Sequence, residues 1–328
     1  MPCRKQFLIN KNLLHFSFRG TVNTSLRPIP VVLDTDIGTD IDDTWALAML
    51  LRSPELDVRL VVSDTDDTDY RAAIIARLLE AAGRTDVAVG IGTRQNDRKG
   101  GQAPWVEGYD LAAYPGTLHR DGVSAVIETI ERSQDPVTLI CIGPVPNIAE
   151  VIRRAPGVAA RTRFVGMHGS IHKHHDGEIG AIAEYNVVRD AKACQVVFQA
   201  PWLDMTITPL DTCGRVRLRG EKYQAISNSD DPLLRAVIEN YRIWLQGKPD
   251  MESSILFDTV AIHLACSTRF LRMEDMGIRV TDDGFTVPDK DCRRVHVALE
   301  WTDIDGYETH LVSRLTGQAG LASKPVIL

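Results

Sequence analysis

The chain has 328 residues, of which 44% are hydrophobic and 25% charged, a composition that matches ordinary soluble globular proteins and lies outside the disordered, collagen-like and fibrous classes. Its 44 acidic residues outweigh 37 basic ones for a net charge of −7, so the whole-molecule field repels phosphate backbones and anionic lipid and disfavours nucleic acid as the main partner. No apolar run approaches the roughly 18 residues that a membrane span requires, and six cysteines stand without a Cys-x-x-Cys pair, which points to reduced thiols in the cytoplasm rather than a disulfide framework or a zinc site.

Residues 1–29 carry Arg4, Lys5, Lys11, Arg19 and Arg27 with no acidic residue before Asp34. They read as an N-terminal tail ahead of a domain spanning 30–328, with an organellar transit segment as a second reading. From there, short apolar runs alternate with helical patterns. Strands are predicted at 30–33, 58–63, 87–92, 137–142 and 164–167, and helices at 44–51, 70–82, 122–132, 147–154 and 191–198. Ile74, Ile75, Leu78 and Leu79 share one helix face, and Gly83 stops that helix. The later part carries helices near 232–246 and 259–265 and a closing β segment near 295–301. Such alternation predicts an α/β fold: an open, mostly parallel, Rossmann-like sheet with helices on both faces. In sheets of this kind ligands bind beyond the carboxyl ends of the strands.

Directly after the first predicted strand, Asp34, Asp36, Asp40, Asp42 and Asp43 place five carboxylates within ten residues. Like charges this close raise one another's pKa unless something positive neutralises them. Converging hard oxygens without Cys or His suit Ca²⁺ or Mg²⁺. The plainer reading is a solvated acidic loop in which Asp42 caps the following helix. An EF-hand fails on spacing, because Gly38 and Trp45 occupy the fifth and twelfth positions counted from Asp34. A haloacid-dehalogenase-type phosphatase would use Asp34 as its nucleophile, but Gly38 stands where its Thr belongs.

The segment Asp34-Thr35-Asp36-Ile37-Gly38 followed by Asp42-Asp43 resembles the N-terminal signature of the inosine-uridine preferring nucleoside hydrolases, in a variant with two extra residues around Asp40. Three further segments resemble that family in the same order: Gly143-Pro144-Val145-Pro146-Asn147, Glu184-Tyr185-Asn186 and Phe257-Asp258. The resemblance implies Ca²⁺-dependent hydrolysis of the N-glycosidic bond of a ribonucleoside or related riboside, with one ion per subunit and a homodimer or homotetramer. It implies that Asp36 is both metal ligand and general base, that Asp43 and Asp258 ligate the metal with the Pro146 carbonyl, and that Asp42, Glu184 and Asn186 hold ribose hydroxyls.

Several positions depart from the family pattern. Glu178 stands where an Asn usually contacts the 5′ side of the ribose, so a donor-and-acceptor becomes acceptor-only. The ribose-contacting segment after the second strand admits two registers, Thr65 or Asp67, and similarity to Gly-Asp-Thr-x-x-Arg-Ala favours Asp67. Phe257 replaces a His that protonates the leaving base in purine-cleaving relatives, and phenylalanine has no proton to give. His119, in a segment resembling a family loop near the base, is the first candidate for that proton, and His168, His172, His174 and His175 are the others. Trp105 and Tyr185 are candidates for stacking on a base. A catalytically inactive riboside binder is the alternative function, and the phosphatase is a weaker one.

Overall fold

The computed structural model describes residues 27–317, so almost all of the expected N-terminal tail lies outside the described residues. Ten strands run in chain order as β1 (Ile29–Thr35), β2 (Leu56–Ser63), β3 (Ala88–Ile91), β4 (Leu118–His119), β5 (Val137–Cys141), β6 (Thr162–Met167), β7 (Asp204–Thr208), β8 (Leu271–Val280), β9 (Thr286–Pro288) and β10 (Arg294–Trp301). They form one sheet in the order β4-β3-β2-β1-β5-β6-β7-β10-β8-β9. Pairing is parallel from β4 through to β10, and antiparallel between β10 and β8 and between β8 and β9. The fold is thus α/β with a mixed, mostly parallel open sheet. β1 and β5 are apolar almost throughout because a central parallel strand buries both faces.

The helices are α1 (Asp42–Leu51), α2 (Thr68–Ala81), α3 (Gly122–Arg132), α4 (Pro146–Arg154), α5 (Tyr185–Arg189), α6 (Ala191–Gln199), α7 (Leu210–Cys213), α8 (Gly220–Ser227), α9 (Pro232–Leu245), α10 (Thr259–Leu264) and α11 (Ile304–Leu315). One face of the sheet packs under α1, α2 and α8 to α11, in a core holding Trp45, Leu47, Ile74 and Tyr307. The other packs under α3, α4 and α6, around Val32, Leu139, Phe164 and Trp202. Trp105 belongs to the first core: it is 2% exposed and Arg77 lies over its ring at 4.4 Å, so its surface is spent on packing and not on a ligand. No helix among the described residues is long and apolar enough to cross a membrane. Cys141, Cys194, Cys213, Cys266 and Cys292 are free thiols.

Chain order reverses direction across the sheet between β1 and β5. β2, β3 and β4 extend one way from β1, and β5, β6 and β7 the other. Loops leaving the carboxyl ends of β1 and β5 therefore splay apart and open a crevice, the usual ligand position in sheets of this kind.

Candidate active site

A cavity of about 480 Å³ opens at that crevice. Its acidic lining is Asp36, Asp40, Asp42, Asp43, Glu184 and Asp258, and its apolar lining is Ile142, Met167, Ile182, Val188, Leu210 and Phe257. Tyr185 and His175 line it near the mouth and are both about half exposed. Among the described residues no Lys or Arg side chain lines it.

The carboxylates are assembled from both ends of the chain. Asp36 leaves β1 and Asp42 and Asp43 open α1, whereas Asp258 immediately precedes α10. One carboxylate oxygen from each of Asp42, Asp43 and Asp258 lies within 4.8 Å of the other two, and all three residues are buried. Two oxygens each about 2.4 Å from one calcium can be at most about 4.8 Å apart, so this spacing fits a shared hard cation. Asp42 is not the helix cap: Ile41 takes that position without a side-chain hydrogen bond, so the solvated-loop reading does not describe this segment. Thr35 Oγ1 donates to Asp43 Oδ1 and accepts from Ile37 N–H at 3.1 Å, which fixes the start of the acidic loop against β1.

Burial without compensation raises these carboxyls. Desolvation first, then Asn147 pulling the other way and Asp36 adding to the rise, places Asp34 at about 7; desolvation, eased by Arg71, places Asp36 at about 6. Asp42, Asp43 and Asp258 are pushed well above the usual range by burial and then chiefly by one another, Asp36 and Asp40. Asp42 and Asp258 sit within hydrogen-bonding reach, a contact two carboxylates can make only with a proton or a cation between them. The Oδ2 atoms of Asp34 and Asp64 are buried without a partner. Arg71 is buried among these groups, but its donors go to Ile37 O at 2.9 Å, Thr65 O at 3.0 Å, Thr39 Oγ1 at 2.9 Å and Asp66 at 3.3 Å. It braces the loop and leaves the cluster acidic. Calcium-type coordination by buried oxygens fits this donor set.

Asp34 points away from the cavity. Its Oδ1 accepts from Asn147 Nδ2 at 3.0 Å, and the same Nδ2 donates to Ser63 O at 3.0 Å while Asn147 Oδ1 accepts from Thr93 N–H at 2.9 Å. Full burial and this partner are incompatible with the exposed nucleophile that a haloacid-dehalogenase phosphatase requires. The two extra residues around Asp40 are equally well held: Trp244 Nε1 donates to Thr39 O at 3.1 Å and Gln102 Nε2 donates to Asp40 O. Asp40 thereby stands at the cavity wall, exposed.

A sequence model of the family described as "Inosine-uridine preferring nucleoside hydrolase" matches residues 31–308. The chain belongs to that family. It is 29% identical over 218 residues to the pyrimidine-specific ribonucleoside hydrolase RihA of Enterobacter sp. (strain 638), covering 61% of this chain and 66% of that protein. It is 26% identical over 258 residues to RihA of Citrobacter koseri, covering 74% and 79% respectively. In fold it resembles the plant nucleoside hydrolase PpNRh1, with a TM-score of 0.71 at 22% identity over 88% of this chain and 99% of that one. The inosine-uridine preferring nucleoside hydrolase from Bacillus anthracis gives a TM-score of 0.68 at 18% identity over 87% and 99%.

Within this nucleoside hydrolase, six of the expected site residues meet at the cavity: Asp36, Asp42, Asp43, Glu184, Asn186 and Asp258. Glu184 caps α5, accepting from Gly169 N–H at 3.0 Å, Asn186 N–H at 2.8 Å and Val187 N–H at 3.3 Å, and burial nevertheless raises it to about 7. Asn186 Nδ2 donates to Ile142 O at 3.1 Å and Met167 O at 3.0 Å. Four others do not line the cavity. Asp67 caps α2, accepting from Tyr70 N–H at 3.1 Å, and pairs with Arg94. Glu178 is exposed on a hairpin. His119 is held in the β4 ladder opposite Gly90, at the far edge of the sheet. Pro146 opens α4, where proline's fixed φ suits the first turn. Residues the sequence reading passed over include Arg71, Thr35 and Gln102; buried Arg within an apolar helix face was the available signal for the first.

Proposed function

We propose that the chain is a calcium-dependent nucleoside N-ribohydrolase that splits unphosphorylated ribonucleosides into ribose and free base. The observation that carries this reading is the carboxylate group in the cavity, where Asp42 and Asp43 from the first helix meet Asp258 from far along the chain with oxygens within 4.8 Å of one another, in a pocket that also has apolar lining. Asp36, Asp43 and Asp258 would hold the ion; the Pro146 carbonyl expected as a backbone ligand belongs to α4, outside the cavity lining. Bound there, Ca²⁺ supplies acidification of water and an anchor for vicinal hydroxyls.

The side chains do the rest. Asp36 takes the proton of the attacking water as that water adds to C1′. Asp42 and Glu184 accept from ribose hydroxyls, and Asn186, whose Nδ2 is spent on Ile142 and Met167, offers Oδ1 to another. Positive charge developing on the sugar in the oxocarbenium-like transition state is stabilised by the surrounding carboxylates. The base lies along Ile142, Met167, Leu210 and Phe257, with Tyr185 at the mouth. A 5′-phosphate would enter a cavity lined by six carboxylates and by no Lys or Arg among the described residues, which supports nucleosides over nucleotides.

The two relatives named pyrimidine-specific make uridine and cytidine the first substrates to test, with inosine beside them. Ribose release is expected in the presence of calcium and is expected to stop with chelator. Binding of a riboside by calorimetry without ribose release would instead support the inactive riboside binder, a reading motivated by Phe257.

A further inference from the structure

Phe257 leaves the departing base without the proton donor expected at that position. Among the described residues, His175 is the one imidazole that lines the cavity. Its ring meets Phe257 edge to face with centroids 6.4 Å apart, and its side chain is 48% exposed, so it stands beside Phe257 in the same cavity and is open to solvent. The other histidines are placed differently. His168 is fully buried with Nε2 against Gly143 O at 3.1 Å, and burial lowers it to about 4, which keeps it neutral. His172 and His174 belong to the same hairpin but do not line the cavity. His119 is in the β4 ladder.

The backbone around His175 is built to hold it. Residues 170–180 form a hairpin with a Lys173–Ile179 bridge, closed by His174 N–H to Glu178 O at 2.9 Å and Gly180 N–H to His172 O at 2.8 Å. Its root is tied to α7: the Asp211 carboxylate accepts from Ile171 N–H at 2.9 Å and His172 N–H at 2.8 Å. Its tip is tied to the end of the same helix, where Gly214 lies so close that a β-carbon there would fall 2.7 Å from His175 Cα. Asp176 follows His175 at φ +74°, a left-handed conformation that a non-glycine residue adopts only when its surroundings enforce it. The charged and titratable groups around the imidazole are Asp176, 3.6 Å from Nε2, His174 and Glu178 on the same hairpin, Arg215 passing Gly177, and the carboxylates that line the cavity.

We propose that His175 is the leaving-group acid of this enzyme, taking over from the hairpin the role that position 257 cannot fill. The inference rests on the nucleoside hydrolase reading above. As the C1′–N bond breaks, both its electrons go to the base, and an imidazolium N–H of His175 delivers a proton to a ring nitrogen or carbonyl oxygen of that base. Water supplies the new C1′–O bond and gives its proton to Asp36. Solvent exchange then returns one proton to His175 and removes one from Asp36.

The test compares two leaving groups on the calcium-loaded full chain. Uridine and inosine need a proton as the base departs; 4-nitrophenyl β-D-ribofuranoside releases a stable phenolate and does not. His175→Gln is expected to lower kcat/KM for the nucleosides by about 100-fold or more, the usual share of general acid catalysis, and to leave the nitrophenyl riboside within about threefold. To separate this loss from misfolding, the swap His175→Phe with Phe257→His is the second variant: it returns an imidazole to the opposite partner of the same ring pair and is expected to recover at least tenfold of the lost nucleoside activity. Equal losses on both substrate types, or no loss on either, would overturn the proposal. Wild-type cleavage of the nitrophenyl riboside without cleavage of nucleosides would also overturn it while leaving the C1′ chemistry intact. Failure of the wild type on every riboside would sink the nucleoside hydrolase reading itself, and with it this role.

Discussion

At the scale of single residues, the placement of Asp36 depends on how closely backbone can approach backbone. Gly143 follows β5 and faces the β1 loop so tightly that a β-carbon there would stand 2.8 Å from both the amide nitrogen and Oδ1 of Asp36. Neither atom can yield without moving the carboxylate that faces the substrate. Gly143→Ala is therefore expected to displace Asp36 by a fraction of an ångström to about 1 Å and to lower kcat by about 100-fold, since misplacement on that scale costs this much in a positioned site. Steady-state kinetics with a parallel unfolding curve would check it; an unchanged kcat would show that Asp36 need not sit where it does.

At the scale of elements, the question is what keeps the strand ends from parting under so many like charges. Asn147, in the first turn of α4, spans them: one amide group bonds Asp34 at the end of β1, Ser63 at the end of β2 and Thr93 just past β3. Asn147→Ala removes all three bonds and leaves the Asp34 carboxyl buried with no partner on either oxygen. A loss of about 3 kcal/mol is expected, in the range for stranding a buried charged group, and urea denaturation would read it. On the other flank, α7 plays a comparable part by holding the His175 hairpin through Asp211 and Gly214. Both helices are short or half-apolar, and their value lies in the loops they fix.

For the whole molecule, stability is linked to what binds and to pH. A cation that binds the folded chain and not the unfolded one adds about 2.7 kcal/mol at 100 times its Kd. For a chain of this size that is a rise in Tm of about 4 °C. Calcium is expected to give such a rise, chelator to reverse it, and Asp43→Asn with Asp258→Asn to abolish it. A second linkage lies at the packing of α10 against α11, where His263 meets Tyr307 and His310. Burial first, then His310, Arg314 and Arg269, lowers His263 to about 4, although its contact with Arg269 O pulls the other way. A histidine lowered in the folded state binds fewer protons than in the unfolded chain, so its contribution is complete above about 6.5 and is lost as pH falls toward 4. Relative to His263→Phe, the wild type should lose about 2–3 kcal/mol between pH 7.5 and pH 4.5; a constant difference across that range would show that His263 does not titrate on unfolding.

Local pattern was enough for much of this. The apolar runs of β1, β2, β3, β5 and β6 and the helices between them were legible because burial on both faces of a parallel sheet leaves a continuous hydrophobic signature, and the run of aspartates after β1 announced where charge would have to be balanced. β7 and β8 were not legible: β7 is short and carries two threonines, and β8 mixes charged residues along an exposed face near the sheet edge. Sequence order also could not distinguish Asp67, spent on capping α2, from the carboxylates that face the cavity, nor choose among five histidines. The sequence alone determined the α/β alternation and the acidic loop, because both are set by neighbours a few residues apart. The family resemblance had already paired Asp43 with Asp258; only the tertiary structure decided that Asp42 joins them and that His175 meets Phe257, because those meetings depend on loops closed over long stretches of chain.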